Sequence, residues 1–220
     1  MIFYDYWRSS SAWRVRLALH LKGISFERRP VNLLADEQHA PEFQALNPQG
    51  QVPVLVIPPE APGARPQVLA QSMAILAYLE ERFPTPPLLP PPDALVARAR
   101  ARQLAEMINS GIQPFQNLSL FAWLRGAGVA DPSAVAREFN ARGLAAVEKL
   151  AGETAGKFLV GDAPTIADVY LTPQLYGARR FGLDLTPYPT LLRVEAAAAA
   201  LPAFAAARPE RQTDAVSTAP

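Results

Sequence analysis

The proline-rich segment from Pro84 to Asp93 (PTPPLLPPPD) constrains the fold of this chain more than any other sequence feature. Such a segment cannot continue an α-helix or a central β-strand, because each proline removes a backbone N–H donor and fixes φ. It also separates two different patterns. Residues 1–83 alternate between strand and helix signals, whereas residues 94–220 show helical periodicity and almost no strand signal. The sequence therefore predicts a first domain at 1–83, a linker at 84–93 and a second domain at 94–220.

The first part has the order strand, helix, strand, short helix, strand, strand, helix. Ile2, Tyr4 and Tyr6 alternate with their neighbours as in a short strand. Serines then precede a helical run that ends near Lys22–Gly23, which is typical of a serine N-cap and a glycine C-terminal signal. The remaining elements are expected at 26–31, 42–46, 54–57, 67–70 and 73–83. This order favours an α/β fold in which a small mixed sheet carries helices on its faces.

The second part is predicted to be all-helical, with helices at about 94–124, 131–151, 165–181 and 190–201. Gly111 and Pro114 lie inside the first of these helices, so we expect a kink or a break there. Thr165 and Asp168 have the spacing of a capping box, with aspartate in place of glutamate. The final ten residues resemble a frayed tail.

Composition excludes several classes of protein and of site. The chain has no cysteine and two histidines, so a disulfide framework, a thiolate zinc site and a cysteine nucleophile of its own are excluded, and no metal site is expected. The net charge of +1 gives no reason to expect nucleic acid or a membrane as a partner. There is no long apolar run, and Asp5 stands where a signal peptide needs a basic flank. A cytoplasmic location is therefore expected.

Polar residues begin two of the predicted helices in the first part. Ser9–Ser11 directly follow a strand at a helix N-terminus, where unpaired N–H groups and the helix dipole favour an anion. Serines in such a place often do no more than cap the helix, and that interpretation stays open. Gln71–Ser72 begin a second helix, Gln51–Val52–Pro53 precede a strand, and the predicted order allows all three segments to converge on one sheet edge. Together they can hold an extended peptide, with Ser72 for a carboxylate and Ser9 or Ser10 for a reactive end.

The chain resembles the glutathione transferases, and within them the zeta class. Residues 6–19 (YWRSSSAWRVRLAL) are similar to the zeta signature S-S-C-x-W-R-V-R-I-A-L, and further similar stretches are Phe43–Pro48, Gln51–Pro53, Gln71–Ser72, Gly111–Ser119 and Asp184–Pro189. The similarity covers nearly the whole chain. It implies a thioredoxin-like N-terminal domain with Pro53 in cis, an all-helical C-terminal domain, a homodimer and glutathione as cofactor.

The resemblance also implies site residues. Ser9 corresponds to the first serine of the motif and is expected to face the glutathione sulfur, with Ser10 beside it. Arg8 and Arg180 are the candidates for binding substrate carboxylates, for which the planar arginine fork is suited, and Arg179 is expected to be a solvated neighbour. Ser11 stands where the family has cysteine, so side activities that need this cysteine are less expected. The candidates for holding glutathione are Ser9, Ser10, Ser11, Gln38, Gln51, Val52, Pro53, Gln71, Ser72, Gln113 and Asn117.

The activity that the resemblance implies is glutathione-dependent cis–trans isomerisation of maleylacetoacetate, a small carboxylated electrophile, by reversible thiolate addition. A second possibility is another enzymatic use, either isomerisation of maleylpyruvate or a general glutathione transferase or peroxidase activity. The maleylpyruvate branch tends to carry histidine and an extra arginine in the stretch from Gln113 to Ser119, so Gln113 and Asn117 favour maleylacetoacetate. A third possibility is a non-catalytic binding protein of the same fold, which the retention of Ser9, Val52–Pro53 and Gln71–Ser72 disfavours.

Overall fold

The computed structural model of the chain describes residues 1–216 and divides into two compact units. The first unit comprises Met1–Pro87 together with the described part of the chain after Leu201, and the second comprises Leu88–Leu201. The sequence pattern assigns 94–220 to a single helical domain, and the structure differs because residues 202–216 belong to the first unit. We call residues 202–216 the C-terminal segment.

The first unit contains a four-stranded mixed sheet in the order β2-β1-β3-β4. Its strands are β1 (Ile2–Asp5), β2 (Glu27–Pro30), β3 (Val54–Ile57) and β4 (Gln67–Ala70). β1 runs parallel to β2, and β3 is antiparallel to both β1 and β4. The helices between them are α1 (Ser10–Leu21), α2 (Pro41–Gln44) and α3 (Ser72–Arg82). This arrangement confirms the predicted α/β fold of the first part.

α1 begins where the serines predict and is buried along most of its length. Ser9 is its N-cap, and Ser9 Oγ accepts a hydrogen bond from the N–H of Ala12 at 3.2 Å. Val15, Leu17 and Leu19 have no exposed surface, as expected for a helix packed in the core. Arg14 and Arg16 are also completely buried, which the hydrophobic pattern alone does not predict.

The second unit is helical, as predicted. Its helices are α4 (Leu95–Gly111), α5 (Leu118–Gly126), α6 (Pro132–Thr154), α7 (Ile166–Arg180) and α8 (Pro189–Ala199). The helix expected at about 94–124 is broken at the expected place, because α4 ends at Gly111 and a 3-10 turn at Gln113–Gln116 precedes α5. Within residues 1–216, no helix combines the length and the apolar character needed to cross a bilayer.

The capping box predicted at the start of α7 is present. Thr165 Oγ1 accepts the N–H of Ala167 at 3.3 Å, and the Asp168 carboxylate accepts the N–H of Thr165 at 2.7 Å. The same carboxylate accepts the N–H of Leu159 at 2.8 Å. Asp168 has no exposed surface, and this burial raises its pKa to about 6 despite the hydrogen bonds that favour the charged form.

The C-terminal segment packs against the rest of the first unit. It begins with α9 (Pro202–Ala206), which contacts α1, and Arg16 Nε donates to the carbonyl of Ala207 at 3.2 Å. Further along, Asp214 pairs with Arg28 of β2 at 2.6 Å. The prediction of a frayed tail is therefore wrong for residues 211–215, because ion pairs and hydrogen bonds hold them, and residues 217–220 lie outside the described part of the chain.

Candidate active site

Four strand ends meet at one edge of the sheet. The parallel pairing of Asp5 with Pro30 places the carboxyl ends of β1 and β2 at this edge. β3 begins there, because Val54 pairs with Tyr4, and β4 ends there, because Ala70 pairs with Val54. The segments that follow β1, β2 and β4 and the segment that precedes β3 therefore emerge side by side. These segments carry the predicted residues 8–11, 38, 51–53 and 71–72.

The segment after β1 is a tight turn that leads into α1. The N–H of Ser9 donates to the carbonyl of Tyr6 at 3.0 Å, and Ser9 Oγ caps the helix. A serine hydroxyl also carries one proton, so Ser9 can accept from the helix and donate to a ligand. No acidic residue lies in the first turn of α1, so the positive end of its dipole is not neutralised from within the helix. Ser10 and Ser11 are the first two helical residues, and both are partly exposed.

The segment before β3 is held in place by a cis peptide bond and a buried asparagine. The Val52–Pro53 peptide bond is cis, as the resemblance implies, and both residues are buried. Asn47 holds the preceding loop, since its Nδ2 donates to the carbonyl of Gln51 at 2.7 Å and its Oδ1 accepts the N–H of Gln49 at 3.2 Å. The backbone that enters β3 is thus fixed by a buried side chain, whereas the Gln51 side chain is exposed.

The junction of β4 and α3 joins an unusual backbone conformation to a buried hydroxyl. Gln71 has a φ of +68°, a region that residues other than glycine rarely adopt and that is often found at functional sites. Its Nε2 donates to Gln49 Oε1 at 2.6 Å. Ser72, the first residue of α3, is only 3% exposed, and its Oγ accepts from Arg14 Nη1 at 3.2 Å. Ser72 is therefore already in contact with a cation.

Arg14 is the member of this site that the sequence pattern did not single out. It lies on the same face of α1 as Leu17, Ala18 and Leu21, three or four residues apart, and it has no exposed surface. A charged residue within an apolar stripe is the signal that could have identified it, because a buried guanidinium requires polar partners. Its contact with Ser72 brings a positive charge to the start of α3.

Gln38 and Arg8 complete the candidates in the first unit. Gln38 lies in a buried position in the 3-10 turn Glu37–His39, and its Nε2 donates to Asp36 Oδ1 at 3.1 Å. Its Oε1 is buried without a hydrogen-bond partner among residues 1–216. Leaving an acceptor in this state costs about 1–3 kcal/mol, so a ligand that donates a hydrogen bond here would relieve the cost. Arg8 is partly exposed, with its guanidinium carbon 5.2 Å from the centre of the Trp7 ring.

The remaining candidates lie in the second unit. Gln113 Nε2 donates to Asn117 Oδ1 at 2.7 Å, so these two amides bind each other. Arg180 is the exposed last residue of α7, and its guanidinium lies 5.1 Å from the centre of the Phe181 ring. Its neighbour Arg179 forms two bonds with Glu195, at 2.6 and 2.5 Å. Arg179 thus pairs with a carboxylate, whereas Arg180 lies against an aromatic ring. The role of Arg180 in binding a substrate stays a prediction.

Comparison with known proteins places the chain in a family. Residues 8–82 match the model of the glutathione S-transferase N-terminal domain, and residues 141–209 match that of the C-terminal domain. The maleylacetoacetate isomerase of Rattus norvegicus is 46% identical over 215 residues, which cover 97% of this chain and 94% of the relative. The chain belongs to the glutathione S-transferase family.

Solved structures of this family agree and place the chain in the zeta class. A holo structure of maleyl pyruvate isomerase, a bacterial zeta-class glutathione S-transferase, is 41% identical with a TM-score of 0.89, covering 98% of this chain and 100% of that one. The maleylacetoacetate isomerase of Anaeromyxobacter dehalogenans 2CP-1 with bound GSH in the active site is 57% identical, with a TM-score of 0.89 and coverage of 98% and 97%. The same protein with bound dicarboxyethyl glutathione and citrate is 56% identical, with a TM-score of 0.88 and coverage of 98% and 94%.

In this glutathione S-transferase the sheet edge combines three chemical features. The N-terminus of α1 with the Ser9 hydroxyl favours an anion that accepts hydrogen bonds. The cis Val52–Pro53 bond and the side chain of Asn47 fix the main chain before β3, and Ser72 with Arg14 places a hydroxyl and a positive charge at the start of α3. Within residues 1–216, no group of three or more histidine and carboxylate side chains is placed to hold a metal ion.

Proposed function

We propose that this chain is a glutathione-dependent cis–trans isomerase that converts maleylacetoacetate to fumarylacetoacetate. One observation carries the proposal: α1 begins at the shared sheet edge with the Ser9 hydroxyl and without an acidic residue in its first turn. The proposal is supported by the 57% identity to a maleylacetoacetate isomerase with GSH in its active site. A related structure holds dicarboxyethyl glutathione there, which is glutathione bearing a dicarboxylic acid group.

The residues at the sheet edge fit glutathione, a peptide with a thiol and two carboxylates. Ser72 suits the carboxylate of the γ-glutamyl end, because its hydroxyl can donate a hydrogen bond and the buried guanidinium of Arg14 adds positive charge behind it. The main chain at Val52 suits the peptide groups of the ligand. The buried Oε1 of Gln38, which has no partner within residues 1–216, suits an N–H donor.

When bound, glutathione supplies a thiol whose thiolate form adds reversibly to a conjugated double bond and so permits rotation about it. A free thiol with a pKa of about 8.5 is only about 3% ionised at pH 7, so the protein must favour the charged form. The Ser9 O–H can donate a hydrogen bond to the sulfur, and the N-terminus of α1 adds positive potential. Lowering the thiol pKa by one to two units takes about 1.4–2.8 kcal/mol and raises the ionised share at pH 7 to between about a quarter and three quarters.

The proposed role of Ser9 can be tested with a single hydroxyl deletion. Ser9→Ala is expected to lower the turnover of maleylacetoacetate by about tenfold or more, because it removes the donor to the sulfur. Ser25→Ala is the matched control, since Ser25 is an exposed serine outside the site. Turnover at saturating glutathione and the melting temperature are measured for both variants. Unchanged turnover in a folded Ser9→Ala variant would remove Ser9 from the mechanism.

The substrate carries two carboxylates, and we assign them to Arg8 and Arg180. Arginine binds a carboxylate through two parallel hydrogen bonds, and a cation that also meets charge developing in the transition state accelerates the reaction. Arg180→Ala is expected to raise the KM for the dicarboxylate about tenfold and to leave the KM for glutathione within about twofold. Arg179→Ala, which removes the partner of Glu195, is the control. An unaltered KM for the dicarboxylate would contradict the assignment.

Isomerisation of maleylpyruvate is the second candidate, because a maleyl pyruvate isomerase is 41% identical to this chain over 98% of its length. The loss of maleylacetoacetate and of maleylpyruvate is followed side by side, with and without glutathione. Faster loss of maleylacetoacetate that requires glutathione is the expected result. Retention on glutathione-agarose without isomerisation of either substrate would indicate a binding protein instead. The homodimer and the cytoplasmic location stay predictions from the sequence.

A further inference from the structure

The C-terminal segment contacts the turn that leads to Ser9. Asp214 Oδ2 accepts the N–H of Trp7 at 3.2 Å, across 207 residues of sequence. The carbonyl of the same Trp7 accepts from Arg16 Nη2 at 2.8 Å. Trp7 lies inside the turn that the Ser9 N–H closes on Tyr6. Both backbone groups of Trp7 are thus held by charged side chains, and one of these belongs to the C-terminal segment.

Asp214 and Arg16 belong to a single cluster of four charges. Asp5 accepts from Arg16 Nη1 at 2.5 Å and pairs with Arg28 Nη2 at 2.7 Å, and Arg28 Nη2 pairs with Asp214 Oδ1 at 2.6 Å. The side chains of Asp5 and Arg16 are completely buried, and that of Asp214 is 20% exposed. Two acids balance two arginines, and Arg28 would keep its pair with Asp5 if the charge of Asp214 were removed.

The two arginines of the cluster also hold the C-terminal segment directly. Arg16 Nε donates to the carbonyl of Ala207 at 3.2 Å, and Arg28 Nη1 donates to Thr213 Oγ1 at 3.3 Å. Trp7 and Asp214 both line a cavity of about 250 Å³. If Asp214 were lost, the N–H of Trp7 would face this cavity and exchange with water. The position of the turn therefore depends on a residue near the end of the described chain.

We infer that Asp214 is a positioning residue, which holds the Tyr6–Ser9 turn through the N–H of Trp7 and so sets the position of the Ser9 hydroxyl. This inference rests on the proposed function, because it assigns a purpose to the placement of Ser9. Asp214 is not proposed to contact the sulfur or the substrate. It acts through the backbone of Trp7, two residues before Ser9.

Three variants of the full chain test the inference. Asp214→Ala removes both the acceptor for Trp7 and the charge that pairs with Arg28. Asp214→Asn keeps a side-chain oxygen that can accept from the Trp7 N–H and removes only the charge. Glu210→Ala is the matched control, because it removes an acid from the same segment whose pair with Arg208, at 3.4 Å, is on the surface.

Two measurements separate positioning from a purely structural role. Hydrogen exchange of the peptide that contains Trp7–Ser10 reports the turn, and it needs no ligand. The ultraviolet absorbance of the glutathione thiolate, titrated against pH in the bound state, reports the effect on the sulfur. For Asp214→Ala we expect the exchange rate in this peptide to rise at least tenfold. We also expect the pKa of the bound thiol to rise by about one unit. At a pH well below that pKa, such a rise lowers the thiolate fraction about tenfold. Asp214→Asn is expected to have an exchange rate and a thiol pKa close to those of the parent. Glu210→Ala is expected to match the parent in both.

The outcomes distinguish the inference from the proposed function. Unchanged exchange at Trp7–Ser10 in Asp214→Ala overturns the inference, and so does faster exchange with an unchanged thiol pKa. If Asp214→Asn behaves like Asp214→Ala, the charge rather than the contact with Trp7 matters, and the inference also fails. If the parent chain itself neither binds glutathione nor lowers the thiol pKa, the proposed function fails, whatever the exchange of the variants shows.

Discussion

The N-termini of α1 and α7 are built from similar parts and differ in a single carboxylate. Each helix begins with a hydroxyl cap, Ser9 or Thr165, whose Oγ accepts an N–H of the first turn. At α7 the third helical residue is Asp168, which accepts from the backbone of Thr165 and Leu159. At α1 the corresponding residue is Ala12, and the first turn has no acid. α7 therefore holds its own anion, whereas α1 is available to an anion from outside.

The two helices also differ in the charges that they bury. The buried residues of α1 include Arg14 and Arg16 and no acid, and those of α7 include Asp168 and no cation. Arg16 is balanced by Asp5, so at α1 the positive charge of Arg14 adds to the positive end of the helix, whereas at α7 the charge of Asp168 opposes it. We conclude that a structural cap becomes a binding site when the acid is omitted and cations are buried nearby. Each prediction below tests one side of this contrast.

The largest effect is expected from the anion that α7 already holds. Burial raises the pKa of Asp168 from 3.8 to about 6, so the folded state binds this proton more tightly than the unfolded state. The contribution of Asp168 to the free energy of unfolding is therefore full at a pH well below 3.8 and is lost as pH rises through 6, by about 3 kcal/mol in total.

This pH dependence is measured by urea unfolding of the parent and of Asp168→Asn between pH 4 and pH 7. The variant cannot ionise at this position, so the stability of the parent relative to the variant should fall by about 2 kcal/mol over this range, which covers most of the total change. Parallel curves would contradict the prediction and would mean that the three hydrogen bonds to the carboxylate outweigh its burial. In that case the N-terminus of α7 would be a stronger anion site than burial suggests.

The second effect is expected at α1, where Arg14 reaches Ser72. Arg14→Met is expected to raise the Kd of glutathione about tenfold, because it removes the buried positive charge that contacts Ser72 behind the proposed γ-glutamyl carboxylate position. Turnover at saturating glutathione is expected to fall much less, since Ser9 is untouched. Calorimetric titration gives the Kd, and Arg82→Met is the control because Arg82 is an exposed arginine in α3. An unchanged Kd would mean that Arg14 serves only the packing of α1.

Local features of several helices could be predicted from the sequence. The serine cap of α1, the capping box of α7 and the break at Gly111 each depend on residues within a few positions of one another. The strand alternation near the N-terminus is similarly local. The polar residues at 9–11, 51–53 and 71–72 could be placed at one edge because the order of elements restricts the sheet topology.

Contacts between distant positions could not be predicted in this way. Arg14 meets Ser72 across 58 residues, and Trp7 meets Asp214 across 207. No periodicity in a single chain reports such a pair, and an arginine in a helix is most often exposed. The order of the final residues could not be predicted for the same reason, because Asp214 is held by the side chain of Arg28 and the backbone of Trp7 rather than by its neighbours in sequence.

The smallest effect is expected from Ser11→Cys, which introduces the cysteine that the family signature carries. Ser11 is the second residue of α1 and is partly exposed, so the positive end of the helix would lower the pKa of the new thiol. If glutathione is the source of the reacting sulfur, this second thiol has no step to perform, and turnover of maleylacetoacetate is expected to change by less than about twofold. Turnover is compared with that of Ser25→Cys, an exposed position outside the site.

A large gain confined to Ser11→Cys would show that the absence of a protein thiol had been limiting. It would mean that the nucleophile is the cysteine of the helix rather than the ligand. A modest loss that grows with pH would have the opposite meaning, because the ionised thiol of this variant would give α1 an internal anion, as Asp168 does for α7, and would compete with the thiolate of glutathione.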